Sequence, residues 1–371
     1  MSKLNVSRRT LLKGGALGAL GLAAGALPGR LAYAADNLTI GIIYVGSRQD
    51  YGYNQAHAVA AAALKDIPGV TVTEQENVPE TIAVSKAMES MIELDGASLV
   101  FPTSFGYYPF MVDEAKKYGD VQFRHCGGLW TDKDPKNAGS YYAYLDQGHY
   151  VNGVAAGLST KANKIGFVAA KPIGTVLLNI NSFYLGLKKT NPNASVQVIF
   201  TGDWSLPVRE AEATNALVDA GCDVITCHVD SPKVVIQTAE SRGAMTCGHN
   251  ASQAELAPKG FITGAEYKWL TLYKKFAGLI QQGQPLPNFE RGGYDLDYVQ
   301  STPYGAGATD AARKAGDEAK AFITAKNAIF VGPLKDNTGK EVVPAGTSHP
   351  PYDPWTEQTN FLLEGIQGSI T

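Results

Sequence analysis

Short β-rich runs alternate along the chain with segments of helix length. Leu38–Val45 is an apolar strand, and a polar loop leads from it into an Ala-rich helix over Gln55–Lys65. Val70–Val78, Ser98–Thr103 and Val121–Cys126 read as further strands, separated by helices around Glu80–Leu94 and Pro109–Tyr118. Such βαβ alternation implies a parallel sheet with helices on both faces. The pattern then restarts. Lys164–Ala169, Ser195–Thr201, Asp223–His228 and Ala244–Gly248 are strands, with helices near Thr175–Thr190, Pro207–Ala220 and Pro232–Arg242 between them. Two successive units of similar size predict a bilobal α/β protein with its seam near Asp146–Lys164. Strand Phe261–Ala265, helix Trp269–Gln282 and strand Tyr294–Gln300 are too few for a third domain and are expected to cross back over the lobes. Ile329–Pro344 predicts a hairpin turning at Asp336-Asn337-Thr338-Gly339. A Pro-rich link (Pro350, Pro351, Pro354) then precedes a last helix, Glu357–Ile366. The expected organisation is lobe 1 over 35–150 plus about 265–293, lobe 2 over 151–264 plus about 294–330, and a hairpin and helix over 331–371.

The segment before this alternation has a different character. Ser7-Arg8-Arg9-Thr10-Leu11-Leu12-Lys13 is a twin-arginine run, a Gly/Ala/Leu stretch extends from Gly14 to Leu27, and Ala32-Tyr33-Ala34 has the form of a cleavage site. The apolar run is too short and too rich in glycine to span a bilayer stably. Residues 1–34 are therefore read as a Tat signal peptide. No cysteine precedes Cys126, which leaves no site for a lipid anchor near the cut. The expected mature form is free in a bacterial periplasm and monomeric.

Composition sharpens this picture. The leader carries five basic residues and no acidic one, so the remaining 337 residues hold 27 basic against 35 acidic side chains. An acidic balance argues against nucleic acid or an anionic membrane as partner, because both need a basic face. Four cysteines in an exported chain permit disulfides without requiring them. A Cys227–Cys247 bridge is compatible with parallel neighbouring strands, and two small buried thiols fit as well.

In open α/β sheets, ligands bind beyond the carboxyl ends of the strands. The loops at those ends are rich in aromatics: Tyr51, Tyr53, Phe105, Tyr107, Tyr108, Trp130 and Trp204. Polar side chains among them are few, namely Asn54, Ser104, Asp203, Asp230 and Asn250. Aromatic walls with sparse hydrogen-bonding groups suit a flat, largely neutral, heteroaromatic ligand.

These loops carry a resemblance. Gly41-Ile42-Ile43-Tyr44 followed by Asp50-Tyr51-Gly52-Tyr53-Asn54-Gln55 resembles the first strand and loop of the basic membrane protein (BMP) family of ABC-transporter substrate-binding proteins. Purine nucleoside receptors are among its members. Thr103-Ser104-Phe105-Gly106-Tyr107, Asn181-Ser182-Phe183, Thr226-Cys227-His228-Val229-Asp230-Ser231 and the Gly332–Gly339 stretch are similar to a nucleobase-binding branch. The resemblance implies a type I periplasmic-binding-protein fold: two Rossmann-like lobes with parallel sheets joined by a hinge, closing around ligand for delivery to a membrane-embedded ABC permease. It places Tyr53 as a stacking ring on a purine and Asn54 as a reader of the base edge. Phe105 with Gly106, and Trp204, are candidates for the other wall, and Asp230 and Asn181 for further edge contacts. The nucleoside receptors hold ribose with an acidic residue where this chain has Asn250, and with a lysine where it has Tyr267. Both ribose contacts are weakened here, which favours a free base such as adenine or an oxopurine over a nucleoside.

Other readings stay open at this point. Sugars also stack on aromatics and would use Arg48, Asp50, Lys171 and Asp203, and a receptor feeding a sensor would need the same closed lobes. Cys227, His228, Cys247 and His249 are potential zinc ligands. Alternation along a strand, however, sends Cys227 and His228 to opposite faces. No G-x-S-x-G, H-E-x-x-H or Gly-rich phosphate loop is present, so no enzyme and no cofactor is expected.

Overall fold

Ile40, Ile42 and Ile43 are fully buried along the first strand, as a parallel sheet covered on both faces requires. The computed structural model describes residues 37–370, so the leader lies outside the described residues. In chain order the first elements are β1 (Leu38–Ile43), α1 (Tyr53–Leu64), β2 (Val70–Gln75), α2 (Ile82–Glu93), β3 (Leu99–Pro102), α3 (Tyr108–Lys117), β4 (Gln122–Cys126) and β5 (Ala138–Ala143). A second run follows: α4 (Asp146–Ser159), β6 (Lys164–Ala169), α5 (Gly174–Thr190), β7 (Ser195–Phe200), α6 (Pro207–Asp219), β8 (Val224–His228), α7 (Lys233–Ser241), β9 (Met245–Asn250) and β10 (Phe261–Tyr267). The chain then returns through α8 (Trp269–Gln281) and β11 (Phe289–Gly292), and again through β12 (Val299–Thr302) and α9 (Asp310–Thr324).

Two sheets result. The first has the order β11-β5-β4-β3-β1-β2 and is parallel throughout. The second runs β12-β10-β9-β8-β6-β7 and is parallel except for β12, which lies antiparallel to β10. The chain therefore passes between the sheets three times: after β5, after β10 and after β11. This is a two-lobed α/β architecture.

Several features depart from the sequence pattern; β5, β11 and α9 have no counterpart among the expected elements. Helix α4 falls in what reads as a seam, because every residue in it except Leu158 is buried and no polar face marks its period. It packs on α5 so closely that a Cβ on Gly153 would sit 2.0 Å from the Phe183 carbonyl oxygen, and one on Gly186 2.1 Å from that of Tyr150. Tyr294–Gln300 is not one strand but a 3₁₀ turn (Tyr294–Leu296) followed by β12.

The end of the chain differs most. After β13 (Phe330–Val331), the hairpin β14 (Leu334–Lys335) and β15 (Glu341–Val343) forms as expected, with the Asp336 carboxylate accepting from the Thr338 and Lys340 amides. Beyond β16 (Ser348–His349), however, α10 spans only Pro354–Glu357. The expected helix to Ile366 is replaced by irregular chain whose Leu363 amide is taken by Asn181, and β17 (Ile366–Gln367) joins the edge of the second sheet beside β7. The Glu357 carboxylate accepts from Arg291 (2.7 Å) and from the Tyr144 hydroxyl, tying this tail to the first lobe.

All four cysteines are free and buried. Cys227 and Cys247 pack in separate hydrophobic clusters, which explains why they do not bridge.

Candidate ligand-binding cleft

Parallel strands end on one side of each sheet, and the two sets of strand-end loops face each other. The Tyr53 amide donates to the Asp230 carbonyl (2.9 Å), the Ser231 hydroxyl to the Asp50 carbonyl (3.0 Å), and the Gln253 side chain to the Tyr51 carbonyl. These bonds close the lobes on each other at the start of α1. They bound a cavity of about 80 Å³.

Of the residues singled out in the sequence, Tyr53, Phe105, Trp204, Asp230 and Asn250 line that cavity. Tyr53 donates its hydroxyl to the Thr103 carbonyl, which fixes the ring between the lobes. Phe105 stays 45% exposed, so it stands at the mouth and not in the core. Its loop is pinned from below. Glu80 accepts from Ser104 Oγ (2.6 Å) and the Gly106 amide (2.8 Å), and His125 Nε2 contacts the Ser104 carbonyl (2.8 Å). A Cβ on Gly106 would lie 2.4 Å from the Glu80 carboxyl carbon, so this glycine serves the loop and does not line the cleft. Asn250 has φ +67°, a left-handed conformation that asparagine tolerates better than most residues.

Two of the expected contacts go elsewhere. Asn54 spends its side chain inside its own loop: Nδ2 donates to Asp50 (2.8 Å) and Oδ1 accepts from the Gly46 amide (3.2 Å). Asp50 also takes the Gly52, Asn54 and Gln55 amides, so the acidic residue and Asn54 together shape the turn that presents Tyr53. Asn181 holds the C-terminal tail through the Phe361 carbonyl (2.9 Å) and the Leu363 amide (3.0 Å). The neighbouring Asn179 lines the cavity instead, together with His228, Tyr142, Tyr267 and Trp269. Tyr267 stacks on Trp269 at 4.5 Å and meets Tyr53 edge-on at 6.3 Å.

No lysine or arginine lines the cavity. Among the described residues Asp230 is the one carboxyl that lines it, and burial, then the nearby Asp50, Glu80 and Glu210, hold it well above the usual carboxylate range. Burial likewise pushes the Cys126 thiol up to about 12 and lowers His228 to about 3. The site is thus aromatic and uncharged apart from one carboxyl that resists ionisation. Among the described residues no three His, Cys, Asp or Glu side chains are placed to hold a metal ion. His228 and His249 instead pack ring on ring at 4.3 Å.

Residues 37–298 match the Bmp family model, the PnrA-like ABC transporter substrate-binding proteins. The chain belongs to this family. It is 33% identical over 350 residues to a purine-binding protein of Brucella abortus, covering 94% of this chain and 98% of that one. It is 31% identical over 255 residues to a putative ABC transporter glucose-binding protein of Haloferax volcanii, covering 69% and 62% of the two chains. A solved ABC transporter solute-binding protein from Conexibacter woesei superposes with a TM-score of 0.67 at 23% identity, over 78% of this chain and 96% of that one. The fold is that of type I periplasmic binding proteins with two lobes. Bmp proteins are substrate-binding components, not enzymes; they capture small molecules outside the cytoplasm and work with a membrane permease. In this Bmp protein no helix among the described residues is long and apolar enough to cross a membrane.

Proposed function

We propose that this Bmp protein captures a free purine nucleobase, adenine or an oxopurine, between its lobes and delivers it to an ABC permease. Export by the twin-arginine route as an unanchored periplasmic monomer belongs to the same reading. The observation that carries it is the lining of the cleft: aromatic rings from both lobes, a handful of neutral polar groups and no cation. A purine offers two π faces and a rim of donors and acceptors that such a lining satisfies. The Brucella relative supports the ligand class.

The preference for base over nucleoside rests on space and on partners. Tyr267 fills the position where nucleoside receptors present a lysine, and Asn250 stands in for their acid. On the measure that gives the cavity about 80 Å³, one water needs roughly 10–15 Å³, so the space suits a small ring system. A ribose would bring hydroxyls that lack charged partners, each costing about 1–3 kcal/mol if left unpaired. Calorimetry with adenine against adenosine and hypoxanthine against inosine tests this, with glucose as a third arm. The bases are expected to bind and the nucleosides to bind at least tenfold more weakly. Nucleosides binding as tightly as bases would end the free-base reading, and binding of glucose alone would end the purine reading.

The stacking rings give a second expectation. Tyr53→Ala or Phe105→Ala should weaken base binding by roughly 1–3 kcal/mol, as removal of a base-stacking ring does elsewhere. Unchanged affinity in both variants would remove the aromatic clamp.

A further inference from the structure

Two residues of the second lobe form a unit that the aromatic walls do not explain. Asn179 on α5 is 3% exposed, and its side-chain nitrogen lies 2.9 Å from His228 Nδ1. An amide NH₂ can only donate, so Nδ1 accepts and the ring hydrogen sits on Nε2. The ring also packs against His249 at 4.3 Å and Trp204 at 6.4 Å, tilted to both. Behind them His149 Nε2 meets His249 Nδ1 at 2.9 Å. The other nitrogens of His149 and His249 are sealed in protein without a partner. That of His228 is not sealed; it makes no hydrogen bond among the described residues, and the residue lines the ligand cavity together with Asp230, two positions further on.

We propose that His228 is the donor with which the cleft reads its ligand, its neutral tautomer locked by Asn179 so that Nε2–H meets an acceptor on the edge of the base. The inference rests on the purine reading above and adds to it which atoms discriminate. The end of β8 then presents a donor from His228 beside the carboxyl of Asp230. This pair selects an edge carrying an acceptor, a ring nitrogen or a 6-oxo oxygen, next to an N–H. Asn179 is a positioning residue, acting only through the histidine.

The test uses adenine and hypoxanthine with analogues in which each acceptor ring nitrogen (N1 of adenine, N3 and N7 of either) is replaced in turn by C–H, and purine, which lacks the 6-oxo oxygen. Calorimetry on the intact protein should show one replacement binding roughly ten- to a hundredfold more weakly, since it leaves a buried donor unpaired. In His228→Leu the parent base should fall toward that analogue, and the gap between them should close to within about twofold by the same reasoning. His228→Gln, which keeps a donor, should restore part of the gap. Nitrogen NMR of the ring should find the hydrogen on Nε2 in the native protein and a mixture of tautomers in Asn179→Leu. Failure of every purine base to bind the native protein would overturn the proposed function and this inference with it. Bases that bind while every analogue binds equally well, a gap that persists in His228→Leu, or a native Nδ1–H tautomer would overturn the histidine's role alone.

Discussion

Replacing Gly52 with alanine should leave both lobes folded and cost the protein most of its ligand affinity. Gly52 precedes α1 and passes against the second lobe so closely that a Cβ would lie 2.1 Å from the Asp230 carbonyl oxygen and 2.4 Å from Pro232 Cδ. The nearer obstacle is backbone at the end of β8, which cannot swing aside as a side chain would. The added methyl also strikes where the lobes are sewn together, between the Asp50 carbonyl bonded to Ser231 and the Tyr53 amide bonded to Asp230. Overpacking a tight contact costs typically about 1–3 kcal/mol. Here that cost falls on the closed arrangement alone, because lobes that separate relieve it. A ligand enclosed between lobes binds only as well as closure allows, so affinity should drop about 5- to 150-fold. The thermal midpoint of the unliganded protein should barely move. Calorimetry of base binding, with small-angle scattering to follow compaction on adding ligand, would check this. An unchanged dissociation constant in Gly52→Ala would mean that ligand does not require the contact between Gly52 and Asp230.

Most strand positions were legible because parallel strands buried on both faces leave dense apolar runs, whereas β5 (Ala138-Gly139-Ser140-Tyr141-Tyr142-Ala143) and β11 lack such a run and were not. Lys164–Ala169 stands out within one residue of its neighbours' turn signals and is observed with the same bounds. Helix α4 was illegible for the opposite reason: Gly148, Gly153 and Gly157 let it sink between α5 and β10, and a helix buried all round has no polar stripe. In the cleft, the chain revealed which loops meet but not which side chains within them turn inward. Asn179 and Asn181 show the difficulty. Two positions on a helix are about 200° apart, so when Asn179 faces the ligand cavity, Asn181 must face away, toward the tail that it binds. For Asn54, nothing in the sequence says that Asp50 and Gly46 engage its amide. A signal for Asn179 did exist, since it lies one turn into a helix that follows a strand end, within reach of the next strand's loop.

Acid should destabilise this protein well before its carboxylates are exhausted. Four histidines are buried in the folded chain and a fifth, His228, is half-buried, and desolvation holds all five below the ordinary value of about 6.5. His57 is lowered to about 3, His125 to about 4 and His228 to about 3, and His149 and His249 lie well below the usual range. His57 shows why. It stacks on Trp269 at 5.0 Å, bonds the Tyr273 hydroxyl at 2.7 Å, and its other nitrogen is sealed in protein. In the unfolded chain each of these rings takes a proton near pH 6.5, whereas the folded chain refuses it until far lower. The stability they contribute is therefore complete above pH 6.5 and is lost as pH falls, at up to about 1.4 kcal/mol per pH unit for each ring. Raised carboxyls oppose this. Asp146 is pushed up to about 7 and Asp230 well above its usual range, both by burial, so each keeps a proton in the folded state that the unfolded chain has lost. Asp50, Glu114 and Glu210 are also raised by burial, but less, so the strongly lowered rings decide the sign and stability falls between pH 6.5 and pH 5. Urea unfolding at pH 7.5, 6.0 and 5.0 should show the midpoint falling steadily across that series. A flat profile would mean that the buried rings accept protons without unfolding.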